Sequence, residues 1–181
     1  EQASIIREVV QSLGLSIHPE KEKLIYLTVA GKSPTQPSAF VGSSAIDLLG
    51  YSISAQAQVS LKKGKIKETL GWIRGRIKTT VHLFRHSGQH RKIHVVCDMV
   101  NALLLGQSAW LQEDKVRQRL RKISDRQRLR QIDFLIALEI AKAITGIKSV
   151  KAFRHLSYRQ LRQRYGLKSI IMIRDQEALD E

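Results

Sequence analysis

Four histidines, His82, His86, His90 and His94, recur every fourth residue and are the first candidates for chemistry in this sequence. On an unbroken helix they would share one face and invite a metal. Ser87-Gly88-Gln89 falls in their midst and reads as a helix break, and no carboxylate repeats beside them. We read them as a solvated or phosphate-facing set and expect no metal on this chain. Cys97 is the sole cysteine, which excludes a disulfide framework and a cysteine-built zinc site. No activating pattern surrounds it, so it reads as a core thiol and not a nucleophile. Glu20 and Glu22 flank Lys21 in a turn and do not form a pair suited to acid–base work. The sequence holds no HExxH, nucleophile elbow, Walker loop or G-x-G-x-x-G. By itself the chain carries no complete active site.

Charge says more than any motif. The 181 residues hold 31 Lys and Arg against 16 Asp and Glu, a formal charge of +15. Such an excess suits an anionic polymer better than a neutral small molecule. It is also unevenly placed. Residues 1–60 hold four bases and five acids, which leaves 27 bases and 11 acids for residues 61–181. With 43% apolar residues the chain has the composition of a folded domain. No apolar run approaches the roughly 20 residues of a membrane span. No secretory signal opens the sequence, and its first residue is Glu1, not Met. We expect a piece of a longer protein that works inside a cell, in the cytoplasm or nucleus, without membrane contact.

The elements that position this charge follow from periodicity. Ile5, Ile6, Val9, Val10 and Leu13 have helical spacing and stop at Gly14. Leu24–Val29 reads as a strand, residues 31–44 as a loop, and Leu48–Ser54 as a short strand with a bend at Gly50. From Lys62 the period becomes helical. Ile66, Leu70, Ile73, Ile77, Val81 and Phe84 form the inward stripe. Lys63, Lys67, Arg74, Lys78 and Arg85 form a second stripe on its flank, a ridge about 33 Å long at the helical rise. Two readings of the ridge stay open: a solvated basic face, or a track for a phosphate backbone. A second helix buries Ile93, Val96, Cys97, Val100, Leu103, Leu104 and Leu111. Residues 115–130 carry eight Lys or Arg, among them Arg117, Arg121 and Arg128, and one acid, Asp125. They are either a solvated, partly flexible segment or a phosphate contact strip. A long apolar helix then runs from Phe134 through Ile144 and stops at Gly146. Ser157 should cap the helix that follows it, and Gly166 should end that helix.

A resemblance gives these elements a common sense. GLSIHPEKEKLIYLTV, followed some twenty residues on by LLGYSIS, resembles the C-terminal palm of reverse transcriptases, closest to the non-LTR retrotransposon and bacterial retroelement branch. The two following helices with LGQSAW resemble that family's thumb, and SYRQLRQRYGLKSI resembles the tail after it. The resemblance implies that Lys21 is the catalytic palm lysine, placed to neutralise or protonate departing pyrophosphate. It implies that Leu49, Gly50 and Tyr51 form the primer grip. It further implies nucleic-acid partners, an RNA template and an RNA–DNA or DNA duplex, together with the catalytic fingers and palm. The Mg2+ of the complete enzyme would be held by aspartates outside this chain. The family's Lys-Thr pair is Lys21-Glu22 here, and Leu48 stands where an aromatic residue is usual.

On this basis we expect an α+β, predominantly α-helical chain: a palm remnant with a hairpin over 1–60, a helical thumb over 61–112, and a basic linker with a helical tail over 113–181. Its expected role is to hold template and primer for an RNA-directed DNA polymerase, a nucleotidyltransferase. Two alternatives stand beside it. One is a helix-turn-helix DNA-binding protein built on SYRQLRQRYGLKSI. The other is a catalytically inactive polymerase-like scaffold in a ribonucleoprotein.

Overall fold

A computed structural model describes residues 12, 25–27, 41–43, 45–107 and 114–177. The chain divides into two compact units, Glu1–Ile46 with Ser54–Gln56, and Asp47–Ile53 with Ala57–Glu181. In the first, β1 (Ile25–Leu27) pairs in parallel with β2 (Val41–Ser43), Ile25 opposite Val41. β1 lies within the segment the sequence marks as a strand. The expected helix over Ile5–Leu13, Gly14 and Lys21 lie outside the described residues, Ser12 excepted, which is helical.

A small sheet of β3 (Ala45–Leu48), β4 (Tyr51–Ser54) and β5 (Val59–Leu61) has the order β3-β4-β5. The one strand expected over Leu48–Ser54 is thus the end of β3, a tight turn and β4. Leu49 and Gly50 both have positive φ, 49° and 89°. That pairing of signs belongs to the two-residue turn whose twist matches a hairpin. β4 and β5 are antiparallel, with Tyr51 opposite Leu61. The amides of Ser124 and Asp125 donate to the Val59 carbonyl, and the Val59 amide donates to the Ser124 hydroxyl. Those bonds occupy backbone groups that β5 would otherwise leave unpaired.

Among the described residues four helices follow the sheet: α1 (Lys63–Leu83), α2 (Gln89–Leu105), α3 (Asp114–Arg121) and α4 (Arg126–Thr145). A 3-10 turn (Val150–Arg154), α5 (Tyr158–Gln163) and α6 (Ile170–Glu177) complete the chain. The architecture is α+β and predominantly helical. α4 lies at its centre, packed on α1, α2, α5, α6 and the 3-10 turn. Leu129, Ile132, Ile136, Ala137, Ile140 and Ala141 are buried along it, and the stretch from Ile136 to Ala141 is buried at every residue. The same core takes in Ile66, Leu70, Ile73 and Ile77 of α1 and Ile93, Val96, Cys97 and Val100 of α2. Val81 is half-buried against it.

Helix ends depart from the periodicity in instructive ways. α1 stops at Leu83, so Arg85 sits in the turn that leads to Gly88 and α2. The helical part of the ridge therefore runs from Lys63 to Lys78. α2 ends at Leu105 because Gly106 takes the left-handed conformation (φ 66°); Leu111 lies outside the described residues. α4 begins eight residues before Phe134, with the Asp125 carboxylate accepting from the Arg128 amide. Its arginine-rich first turns still send Leu129 and Ile132 into the core. Gly146 (φ 75°) ends it, as expected. Ser157 caps α5 through a reciprocal bond with Gln160, also as expected. That helix ends at Gln163, three residues ahead of the left-handed Gly166. Among the described residues no helix is long and apolar enough to cross a membrane.

Candidate nucleic-acid interface

α1 and α4 lie side by side, and the groove between them gathers the charge. Its first part, about 350 Å3, is walled by Lys63, Lys67 and Arg74 from α1 and Arg128 and Gln131 from α4. Ile66, Leu70, Ile132 and Leu135 form its floor. The second part, about 670 Å3, continues past Arg74 to Lys78, His82 and Arg85, with Lys142 and Lys148 opposite. Two helices are needed for this: α1 supplies a line of lysines, α4 supplies Arg128 and Gln131 across from it, and both contribute to the apolar floor.

Lys63, Lys67 and Lys78 are exposed. None has a hydrogen-bond or ion-pair partner among the described residues. Each carries its charge on a flexible stem, free to meet a phosphate oxygen. Arg74 is different. Its Nε donates to Glu139 Oε2 at 2.5 Å, and Lys142 Nζ donates to Glu139 Oε1 at 3.1 Å. The Glu139 side chain is only 10% exposed. Burial pushes its carboxyl up, but the hydrogen bonds and charges of Arg74 and Lys142 outweigh burial and hold it below the ordinary glutamate value. Arg74 in turn is raised, first by that hydrogen bond. Both shifts favour the ion pair. The ridge is therefore two cationic stretches with a matched pair between them.

Arg85 donates from Nε to the His86 ring at 2.9 Å and lies 3.1 Å from the His82 ring through Nη1. His90 and His94 instead make ring contacts with each other and with Tyr165, at 4.9–5.5 Å between centroids. Among the described residues no three His, Cys, Asp or Glu are placed to hold a metal.

The hairpin abuts the start of the ridge. The Lys62 amide donates to the Gly50 carbonyl at 3.0 Å, and a Cβ on Gly50 would lie 2.9 Å from Lys65 Cγ. Leu49 at the tip is 88% exposed. Tyr51 is half-buried against the core, and its hydroxyl donates to the Arg119 carbonyl at 3.4 Å. Burial raises its pKa, against a smaller opposing effect of the Arg119 charge. Of the three residues, Tyr51 packs inward and Leu49 faces out.

The sequence-predicted cations thus fall into two groups. Lys63, Lys67, Arg74, Lys78, Arg85 and Arg128 come together along one groove. Arg117 and Arg121 do not line it. Both reach Glu177 of α6, Arg117 through two nitrogens at 2.7 and 3.1 Å and Arg121 at 3.7 Å. Lys142, Lys148 and Glu139 were not foreseen as part of the interface. Glu139 had a signal: it is the lone charge in the apolar run from Phe134 to Ala141, and a buried carboxylate must find a cation. Compared with protein-family models, curated proteins and solved structures, the chain has no match.

Proposed function

We propose that this chain holds double-stranded nucleic acid by its backbone, as the template–primer-binding portion of an RNA-directed DNA polymerase whose catalytic aspartates lie outside it. The observation that carries the reading is the line of lysines on α1, Lys63, Lys67 and Lys78, unpartnered among the described residues and facing Arg128 and Lys148 of the opposite wall. Flexible point charges neutralise phosphates without reading bases. A polymerase needs that indifference, because it moves over every sequence it copies. The hairpin at the head of the ridge supports the same reading. A tip set against the first turn of α1 could meet a primer terminus at the end of a bound backbone.

The test is binding of the full chain to RNA–DNA hybrids of unrelated sequence over a range of salt. Equal affinities that fall steeply with salt are expected. A preference for one sequence, kept at high salt, would instead favour a helix-turn-helix reader. Primer extension by the whole protein, with and without a Gly50→Ala change, then tests the polymerase assignment itself.

A further inference from the structure

A second concavity lies away from the groove, where the C-terminal end of α2 meets α5 and α6. It measures about 780 Å3, within the range of small-ligand sites. Leu105, Leu167 and Ile173 give it an apolar floor, Arg159, Arg162 and Lys168 give it basic edges, and the one carboxylate on its lining, Glu177, is paired with Arg117 and Arg121.

Arg162 is the telling residue. Its Nη1 donates to the Tyr158 hydroxyl at 3.1 Å, its Nη2 meets Met172 Sδ at 3.1 Å, and the guanidinium lies 5.8 Å from the Tyr158 ring centre. A thioether is a weak acceptor. Among the described residues no carboxylate comes within ion-pairing distance of this half-buried cation. Asp133, which feels its charge, gives both oxygens to the Ser169 hydroxyl and the Ile170 amide. Arg162 is thus held in place beside an aromatic ring with no direct ion pair among the described residues. Most arginines near α6 are spent otherwise, on Glu177 and Asp175.

We propose that this cleft binds an unpaired nucleotide. The apolar floor and the Tyr158–Arg162 pair suit the flat face of a base, which stacks on aromatic and guanidinium planes. Gln107 and Gln176 on the lining can pair with base edges through their amides. Arg159 and Lys168 match the charge of the attached phosphate. The inference rests on the cleft alone and does not need the groove to bind a duplex.

The experiment measures binding of the full chain to a labelled, unstructured 12-nucleotide RNA, to uridine monophosphate and to a polyglutamate peptide. Arg162→Ala and Met172→Glu are compared with a Lys67→Ala/Lys78→Ala groove variant. Met172 is exposed, so its change puts a negative charge at the cleft mouth without emptying the core. Each cleft change should weaken the single strand about tenfold and leave the hybrid duplex unaffected. The groove variant should do the reverse. If the mononucleotide shows the same loss, the source is a free nucleotide; if only the strand binds, it is a polynucleotide. The proposal is overturned if neither RNA nor mononucleotide binds, if polyglutamate displaces the RNA with equal affinity, or if both sets of changes weaken strand and duplex alike.

Discussion

Replacing Lys63, Lys67 and Lys78 together by alanine should flatten the salt dependence of duplex binding by a calculable amount. The three are exposed and lie on one line of α1. Their α-carbons span 15 residues, about 22 Å at the helical rise. Each phosphate contact contributes about −0.9 to the slope of log affinity against log salt. Losing three should make the slope shallower by about 2.7. Between about 50 and 200 mM salt, those contacts account for about a 40-fold share of the affinity lost by the wild type. Fluorescence anisotropy with a labelled RNA–DNA hybrid at five salt concentrations reads the slope directly. Arg74→Ala supplies the contrast. Its guanidinium is committed to Glu139, so it should change stability more than slope. An unchanged slope in the triple variant, or a slope that Arg74→Ala shifts as much as each lysine does, refutes the reasoning.

Further outcomes rest on the geometry around Glu139, Asp133, Leu49 and Cys97. Arg74→Ala leaves a buried carboxylate with Lys142 alone, and should cost about 1–2 kcal/mol in a urea titration, less than a fully buried pair because Arg74 is half exposed. Because the Glu139 carboxyl is held below its ordinary value of 4.5, its contribution is present above that pH and is lost as pH falls through the lower folded value; Glu139→Gln should remove this acid sensitivity. Asp133→Ala deprives the Ser169 hydroxyl and the Ile170 amide of their acceptor and should cost about 1–3 kcal/mol. Burial raises the Asp133 carboxyl above 3.8, so its sign is opposite: stability is lost as pH rises from there through the folded value, a trend that thermal melts of Asp133→Asn should lack. Leu49→Gly removes a left-handed leucine that buries little, and should stabilise the fold by about 1 kcal/mol while impairing primer extension. Cys97 is buried with its thiol pushed up to about 12, first by burial and then by the Asp98 charge; it should resist a thiol reagent at pH 8 until denaturant is added.

What the sequence made legible was set by period. The inward stripe of α1 from Ile66 to Ile77 and the buried side of α2 emerged because a half-buried helix repeats its apolar face. Glycine marked the stop of α4 because only a left-handed residue ends a helix in that way. The start of α4 stayed hidden because arginines mask its first turns, and two apolar residues in the eight before Phe134 do not declare a period. Arg85 appeared as the last rung of the ridge because periodicity cannot show that Leu83 ends the helix. The second wall of the groove was invisible for a different reason. Lys142 and Lys148 are far from Lys78 in sequence, and only the packing of α4 on α1 brings them opposite. The Arg74–Glu139 pair, 65 residues apart, has the same origin.

The division of labour between arginine and lysine explains how a chain of such charge folds at all. The arginine-rich stretch over 115–130 would repel itself if it were merely solvated. Instead four of its six arginines meet acids brought in by other helices: Arg117 and Arg121 meet Glu177, Arg126 meets Asp175, and Arg119 meets Glu68. A planar fork suits such fixed contacts. The acids of α6, which suit a DNA groove poorly, thereby neutralise α3 and the start of α4. Charge matched in this way contributes little to an outside field. The cations without an acid partner among the described residues are of both types, and on α1 they include Lys63, Lys67 and Lys78, which stand in a row along the groove. Lysine pays no geometric penalty when its partner shifts, so a row of lysines can hold a backbone that slides. The net charge of +15 is therefore a less useful number than what is left of it after internal pairing, and Lys63, Lys67 and Lys78 are the part of that remainder on which the proposed backbone contact rests.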